Sequence, residues 1–322
     1  MNHLLAPVVV FAYNRPDFLQ ATLQSLSENE WADRSELFIY CDGPKAGATQ
    51  QQIDNIEHVR VVAKSKSWCK KVEVIEAPVN KGLANSVISG VTETLNQYEN
   101  VIVIEDDVLL SKFFLRFMNT SLARYANEDQ VLSIGSWNYF CNSEKLEDNF
   151  FLRYPDSIAW GTFKRAWSLF EKDGAYLLDQ LKEKKLLGKL NCSIPEKYFE
   201  KMLVEQVDGK IDSWAIRWTA LSVLMNKLNY YPRLSMSKHM GFDTSATHET
   251  GTKDYNAALE LADRYIQPGD QEIKESKKAI REWKKFIVRE FIHRPSAWEK
   301  TKTAAKNVLP GSVQSVYRKI AK

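Results

Sequence analysis

Two hydrophobic periods interleave along the first 140 residues. Short apolar runs at Pro7–Ala12, Leu37–Tyr40, Val72–Ile75 and Val101–Ile104 predict strands. The last of these is apolar on both faces, as the buried middle of a parallel sheet requires. Behind Arg15-Pro16, where proline suits the first helical position, Phe18, Leu19, Leu23 and Leu26 recur at helical spacing. Helices are also predicted over roughly Gln51–Lys64, Leu83–Tyr98 and Lys112–Tyr125. This alternation gives an α/β class with a mainly parallel central sheet and helices on both faces. Ligands of such sheets gather at the carboxyl ends of the strands. Here those ends carry Asn14-Arg15, Asp42-Gly43, Asn80-Lys81-Gly82 and Glu105-Asp106-Asp107.

The middle of the chain is less regular. Val131–Ile134 predicts a further strand, and Ser136–Trp167 is aromatic-rich with polar interruptions. Asp212–Leu228 reads as a helix with Trp214, Trp218, Leu221, Leu224 or Met225, and Leu228 on one stripe. Ser235–Thr252 reads as a polar, glycine-containing loop. Two amphipathic stretches follow. Glu272–Arg294 has Ile280, Trp283, Phe286 or Ile287, and Phe291 on its apolar side, and the second places Val313, Val316, Tyr317 and Ile320 at helical spacing.

Charge divides the chain. The net value of +3 cancels an acidic body against a basic tail: residues 1–272 carry 30 basic and 37 acidic groups, and residues 273–322 carry 14 and 4. A basic helix with Trp and Phe on its apolar side can lie on an anionic membrane, or it can pack that side on the body. Nucleic acid is not an expected partner, because the body is acidic and carries no recognition motif. The four cysteines are widely separated, so reduced thiols in a cytosol are expected. The apolar run at the N-terminus is broken by Pro7 and is too short to span a bilayer. A cytoplasmic protein is expected, with peripheral attachment to the inner face of the cell membrane as the tail's contribution.

Glu105-Asp106-Asp107 is the sharpest chemical feature. Adjacent carboxylates repel unless a cation offsets them, and they can hold Mg²⁺ or Mn²⁺ through oxygen ligands. They can equally cap a helix beginning near Lys112. The neighbouring strand ends add Arg15, which can hold a phosphate, Asp42, which can accept from a base or ribose, and Lys81-Gly82, which offers a charge and close backbone approach. Each alone is an ordinary turn residue. Together, at one sheet edge, they suit a nucleoside diphosphate bridged by a metal.

These segments resemble the GT-A glycosyltransferases, and within them the inverting N-acetylglucosaminyltransferase I group and its bacterial relatives. The resemblance runs from Pro7 through Pro16, Ile39 through Pro44, Asn80-Lys81-Gly82-Leu83-Ala84 and Val103-Ile104-Glu105-Asp106-Asp107, the Glu-Asp-Asp form of the DxD motif. Ser136-Trp137-Asn138 and Ala159-Trp160-Gly161 resemble segments on the sugar and acceptor side. The likeness covers about residues 7–250. It implies a metal-dependent transfer from a nucleotide-sugar donor, a UDP-sugar above all, to a glycan or lipid-linked glycan in bacterial surface polysaccharide synthesis. Asp107 would bind the metal, while Arg15, Asp42, Lys81, Glu105 and Asp106 would contact the donor.

The group's Asp-Asp-Trp segment, whose second acid is the usual base, is represented by Asp212-Ser213-Trp214. Ser213 stands where that acid would be, so the base is assigned to Asp212, with Glu205 and Asp208 as alternatives and helix capping as Asp212's ordinary use. Thr247-His248 resembles a late loop whose histidine completes the metal shell, with His239 a nearby competitor. The implied organisation is a GT-A catalytic domain over residues 1–252, its nucleotide half about 1–140 and its acceptor half about 141–252, then a basic helical tail over 253–322. A nucleotidyltransferase, a non-catalytic sugar-binding module and a retaining transferase are the competing readings.

Overall fold

The computed structural model describes residues 5–138, 144, 146–240 and 259–292. The four apolar runs of the first half form β1 (Val8–Ala12), β2 (Glu36–Cys41), β3 (Lys71–Glu76) and β4 (Asn100–Glu105). They alternate with α1 (Pro16–Ser27), α2 (Gln50–Lys64) and α3 (Leu83–Gln97). Beyond them the chain forms β5 (Val108–Leu110), α4 (Phe114–Arg124), β6 (Val131–Gly135), β7 (Asn149–Leu152) and β8 (Ala159–Phe163). Next come α5 (Lys164–Trp167), α6 (Gly174–Glu183), α7 (Leu187–Leu190), α8 (Tyr198–Val207), α9 (Trp214–Leu224), β9 (Leu228–Pro232), β10 (Ser237–His239) and α10 (Lys277–Glu290).

Eight strands make one sheet in the order β3-β2-β1-β4-β8-β6-β9-β7. β3, β2, β1 and β4 are mutually parallel; β8 enters antiparallel between β4 and β6, and β9 again runs parallel to β6. Strand burial follows position. β1 is buried throughout and β4 through its four central residues, whereas β3, at the sheet edge, exposes Lys71, Glu73 and Glu76. Charges on an outermost strand discourage further pairing. The sheet therefore presents the carboxyl ends of four parallel strands along one side, and the acids of β4 stand in the middle of the molecule rather than at its rim.

The strands of the second half carry polar residues inside. Ser133, Thr162 and Asn229 are fully buried, and each is satisfied: Ser133 donates to Asn229, Thr162 to the Leu132 carbonyl, and Asn229 to the carbonyl oxygens of Leu152 and Arg153. Beside β8 lies an aromatic cluster. Trp160 stacks on Trp214 at 5.0 Å between ring centroids, and Trp167, Phe170 and Trp218 close around them. This docks the first turn of α9 directly onto the strand next to β4.

Two expectations change. The helix expected over Asp212–Leu228 is shorter, because Met225 and Asn226 end it and Leu228 opens β9. The polar loop expected from Ser235 contains β10, paired antiparallel with β5. The tail stretch is also informative. α10 buries Ala279, Trp283, Phe286 and Ile287, and Trp283 stacks on Tyr154 at 5.5 Å and on Phe199 at 6.4 Å. Its apolar side thus faces the body, and Lys277, Lys278, Arg281 and Lys285 are exposed. No helix among the described residues is long and apolar enough to cross a membrane.

Candidate active site at the carboxyl edge of the central strand

The chain leaves the sheet at Glu105 and turns through Asp106 and Asp107 into β5. The amide of Glu105 donates to the Ile158 carbonyl at 2.9 Å, so the first acid is still tied to the sheet. The turn itself is held by α1. Buried Thr22 donates its hydroxyl to the Asp106 carbonyl at 2.7 Å and accepts from the Val108 amide at 3.0 Å. The helix-capping use of these acids is excluded, because β5 intervenes and Phe113 occupies the N-cap of α4 without a capping side chain.

Arg15, at the start of α1, reaches over this turn. Its Nη2 lies 3.2 Å from Asp106 Oδ1 and also donates to Asp107 Oδ2, while its guanidinium stacks 4.9 Å above the Phe18 ring. The Tyr13 amide donates to the second Asp106 oxygen at 3.3 Å. From the other side comes His239. Register sets its position: His239 pairs with Val108 in the β5–β10 ribbon, and the Met240 amide donates to the Asp107 carbonyl at 2.7 Å. Its Nε2 lies 3.1 Å from Asp107 Oδ2. One ligand atom each from Glu105, Asp107 and His239 falls within 4.8 Å of the others.

Burial and mutual repulsion act strongly on these acids. Glu105 is pushed well above the usual carboxylate range by burial and then by the charges of Asp107 and Asp106. Asp106 is pushed up to about 6 by burial and Asp107, against the pull of Arg15 and the Tyr13 amide. Asp107 feels the same burial, yet the hydrogen bond and charge of His239, with those of Arg15, hold it below its ordinary value. The acid that stays ionised most readily is therefore the one beside the histidine. Its Oδ1 is buried and has no hydrogen-bond partner among the described residues. An unpaired buried carboxylate oxygen is costly, and a hard cation would satisfy it.

Asp156 was not singled out by sequence. It is buried and accepts from the amides of Ser136, Trp137 and Ile158, each at 3.0 Å. It thereby fixes Ser136-Trp137 beside β10, where Ser136 and Ser237 share a hydroxyl hydrogen bond of 2.7 Å. Only its place after Tyr154-Pro155, a turn signal, marks it in the sequence.

Asp42 and Lys81 form a second cluster. Asp42 accepts four hydrogen bonds: from the amides of Gly43, Lys81 and Gly82 at 2.9, 2.8 and 3.0 Å, and from Asn80 Nδ2 at 2.9 Å. A carboxylate offers about four lone-pair sites. Three of Asp42's are spent on the Asn80-Lys81-Gly82 loop and the fourth on the Gly43 amide, so what it presents to a ligand in this arrangement is the loop, with the exposed Lys81 side chain upon it. Gly82 adopts a positive φ of 77°, which favours glycine.

Asp212 is separate again. Ser213, not Asp212, caps α9, its hydroxyl accepting from the Ile216 amide at 3.3 Å. The Asp212 carboxylate is instead 56% exposed and accepts from Arg217 Nη2 at 3.1 Å. Arg217 is buried, and its other nitrogens donate to the carbonyls of Ser213 and Lys172. A groove of about 500 Å³ runs between α3 and this corner, lined by Lys81, Asn85, Ser89, Thr92, Lys172 and Arg217. The structure thus joins Arg15, Glu105, Asp106 and Asp107 in one cluster, and Lys81 to Arg217 through the groove. His248 lies outside the described residues; the histidine beside Asp107 is His239.

Replacing Asp42 by Asn substitutes a donor for one of the two acceptor oxygens and leaves loop amides unpaired. The expected cost is about 1–3 kcal/mol. Hydrogen exchange should locate it, with protection lost at Lys81 and Gly82 and retained in β4. Unchanged protection at both amides would contradict the assignment.

Residues 8–165 match the family model described as Glycosyl transferase family 2. Among solved structures the chain is similar to the galactosyltransferase LgtC, described in complex with donor and acceptor sugar analogues, at 14% identity and a TM-score of 0.31 over 55% of this chain and 65% of that one. It is also similar to S. aureus TarS, at 12% identity and a TM-score of 0.34 over 71% of this chain and 36% of that one. The chain therefore spans less than two thirds of either structure. No protein of curated function matches it. Residues 8–165, just under half of the chain, are thus similar to the glycosyl transferase family 2 model, and the four parallel strands with the acids at the end of β4 lie within that match.

Proposed function

We propose that this chain is a metal-dependent, inverting glycosyltransferase, and that it moves a sugar from a nucleoside-diphosphate donor, a UDP-sugar in the favoured case, to a hydroxyl of a glycan or lipid-linked glycan. Bacterial surface polysaccharide assembly is the setting we infer for it. The observation that carries the reading is the buried, unpartnered Oδ1 of Asp107 beside Glu105 and His239. Carboxylate oxygens with one imidazole suit Mn²⁺ or Mg²⁺. When bound, such an ion offsets charge on the departing diphosphate as a Lewis acid.

The remaining work belongs to the chain. Arg15 and Lys81 supply cationic contacts to the phosphates, Asp106 and Glu105 face the nucleotide and sugar, and Asp42 holds the loop that carries Lys81. Asp212 takes the proton of the acceptor hydroxyl. Its carboxylate is free of the capping bond that Ser213 makes, and Arg217 fixes its orientation. A nucleotidyltransferase would use the same sheet edge, but the family match favours sugar transfer.

The donor reading is tested by thermal shift with a panel of nucleotide sugars, with and without Mn²⁺. One donor should stabilise the wild type only when the metal is present, by about 2.7 kcal/mol at a hundredfold excess over Kd. Asp107→Ala should abolish the shift, and Asp212→Asn should keep it while losing transfer. A wild type that no donor stabilises in a metal-dependent way would end the reading.

A lipid-linked acceptor would be met at an anionic membrane surface. Because α10 buries its apolar side, contact there would be electrostatic, through Lys277, Lys278, Arg281 and Lys285. Co-sedimentation with phosphatidylglycerol vesicles should fall steeply with added salt and be absent with phosphatidylcholine. Salt-insensitive binding to both would refute it.

A further inference from the structure

We propose that Arg15 is the resident counter-ion of the carboxylate cluster, and that a divalent cation enters by displacing it from Asp107, releasing the guanidinium to a donor phosphate. The inference rests on the metal-dependent reading above.

Three consecutive acids at the end of a buried strand cannot all ionise without a cation nearby. Among the described residues, the ion pairs to Asp106 and Asp107 come from Arg15 and His239. The form of the Arg15 pairing is unusual. A guanidinium that holds a carboxylate for good does so with two nitrogens in parallel. Here a single nitrogen, Nη2, serves both acids, while Nη1 is buried with no partner among the described residues. Asp107 is in the complementary condition, with Oδ2 shared by Arg15 and His239 and Oδ1 unpartnered. Each group keeps capacity that the other does not use: an anion acceptor is missing at Nη1 and a cation at Oδ1.

A guanidinium and a divalent ion on one carboxylate repel each other. Arg15 would not have to leave the site to yield, because its contact with Asp106 and its stacking on Phe18 hold it as a tether. A phosphate on the released nitrogens lowers the cost of displacement, so metal and nucleoside diphosphate would each tighten the other's binding, as linkage requires. Arg15 thereby couples the binding of the two ligands.

The test is titration of Mn²⁺ into the metal-free full chain by calorimetry, with UDP absent and then present. An adjacent opposite charge alters a carboxylate's proton affinity by about one to three units, so the same charge should cost a competing cation on the order of ten-fold. Arg15→Gln should bind Mn²⁺ alone about that much more tightly than the wild type, with a smaller gain when UDP is added. Arg15→Lys, which keeps the charge, should stay near the wild type. Equal or weaker Mn²⁺ binding by Arg15→Gln would overturn the inference while leaving the metal reading intact. No Mn²⁺ binding by the wild type with or without UDP would remove both.

Should Arg15→Gln fail to fold, the wild type still decides. The Nε–Hε signal of Arg15 in a ¹⁵N spectrum should move on addition of Mg²⁺, and a signal unmoved at saturating Mg²⁺ would overturn the exchange.

Discussion

Negative charge buried at the end of the central strand is the constraint from which the rest of this molecule follows. β4 runs apolar through four residues and then delivers three acids into an interior where ions are poorly solvated. The fold answers with cationic and hydrogen-bonding groups drawn from distant parts of the chain. Arg15 comes from the end of β1, the Tyr13 amide from beside it, and His239 from a ribbon that closes late in the sequence. None of these removes the penalty fully. Glu105 and Asp106 stay above the usual carboxylate range, and one oxygen of Asp107 stays unpaired. A site left short of positive charge in this way favours a cation.

The architecture makes that arrangement rigid on three sides. α1 locks the acidic turn through Thr22, Asp156 locks the Ser136-Trp137 segment, and the β5–β10 pairing fixes the histidine. The corner that carries Asp212 is built differently. There an exposed carboxylate, Asp212, is oriented by a buried arginine, and the Trp160–Trp214 stack ties its helix to the strand next to β4. Buried charge thus marks the edge at β4, and exposed charge on a buried support marks the corner at Asp212.

The parallel half of the sheet was legible because its strands obey one rule. Val101–Ile104 is apolar on both faces, and turn residues mark where β1, β2 and β4 stop. The inserted strands break that rule. β6, β8 and β9 bury Ser133, Thr162 and Asn229, whose hydrogen bonds come from partners up to 96 positions away. No local period can announce a polar residue satisfied across such a distance. The Arg15, Glu105, Asp106 and Asp107 cluster was readable from position at the sheet edge. His239 was not, since its place depends on the register of two three-residue strands. Asp42 was readable as a strand-end acid, but its three hydrogen bonds from the Asn80-Lys81-Gly82 loop were invisible until the loop was placed. For α10, the stripe was plain and only the structure shows that the body covers it.

The most direct test of a cation-binding donor site at this edge is anomalous scattering from crystals grown with Mn²⁺ and UDP. One strong peak is expected within bonding distance of Asp107 Oδ1 and the His239 imidazole, in contact with the diphosphate. A well-ordered diphosphate with no peak there, or with the ion held by other residues, would contradict it.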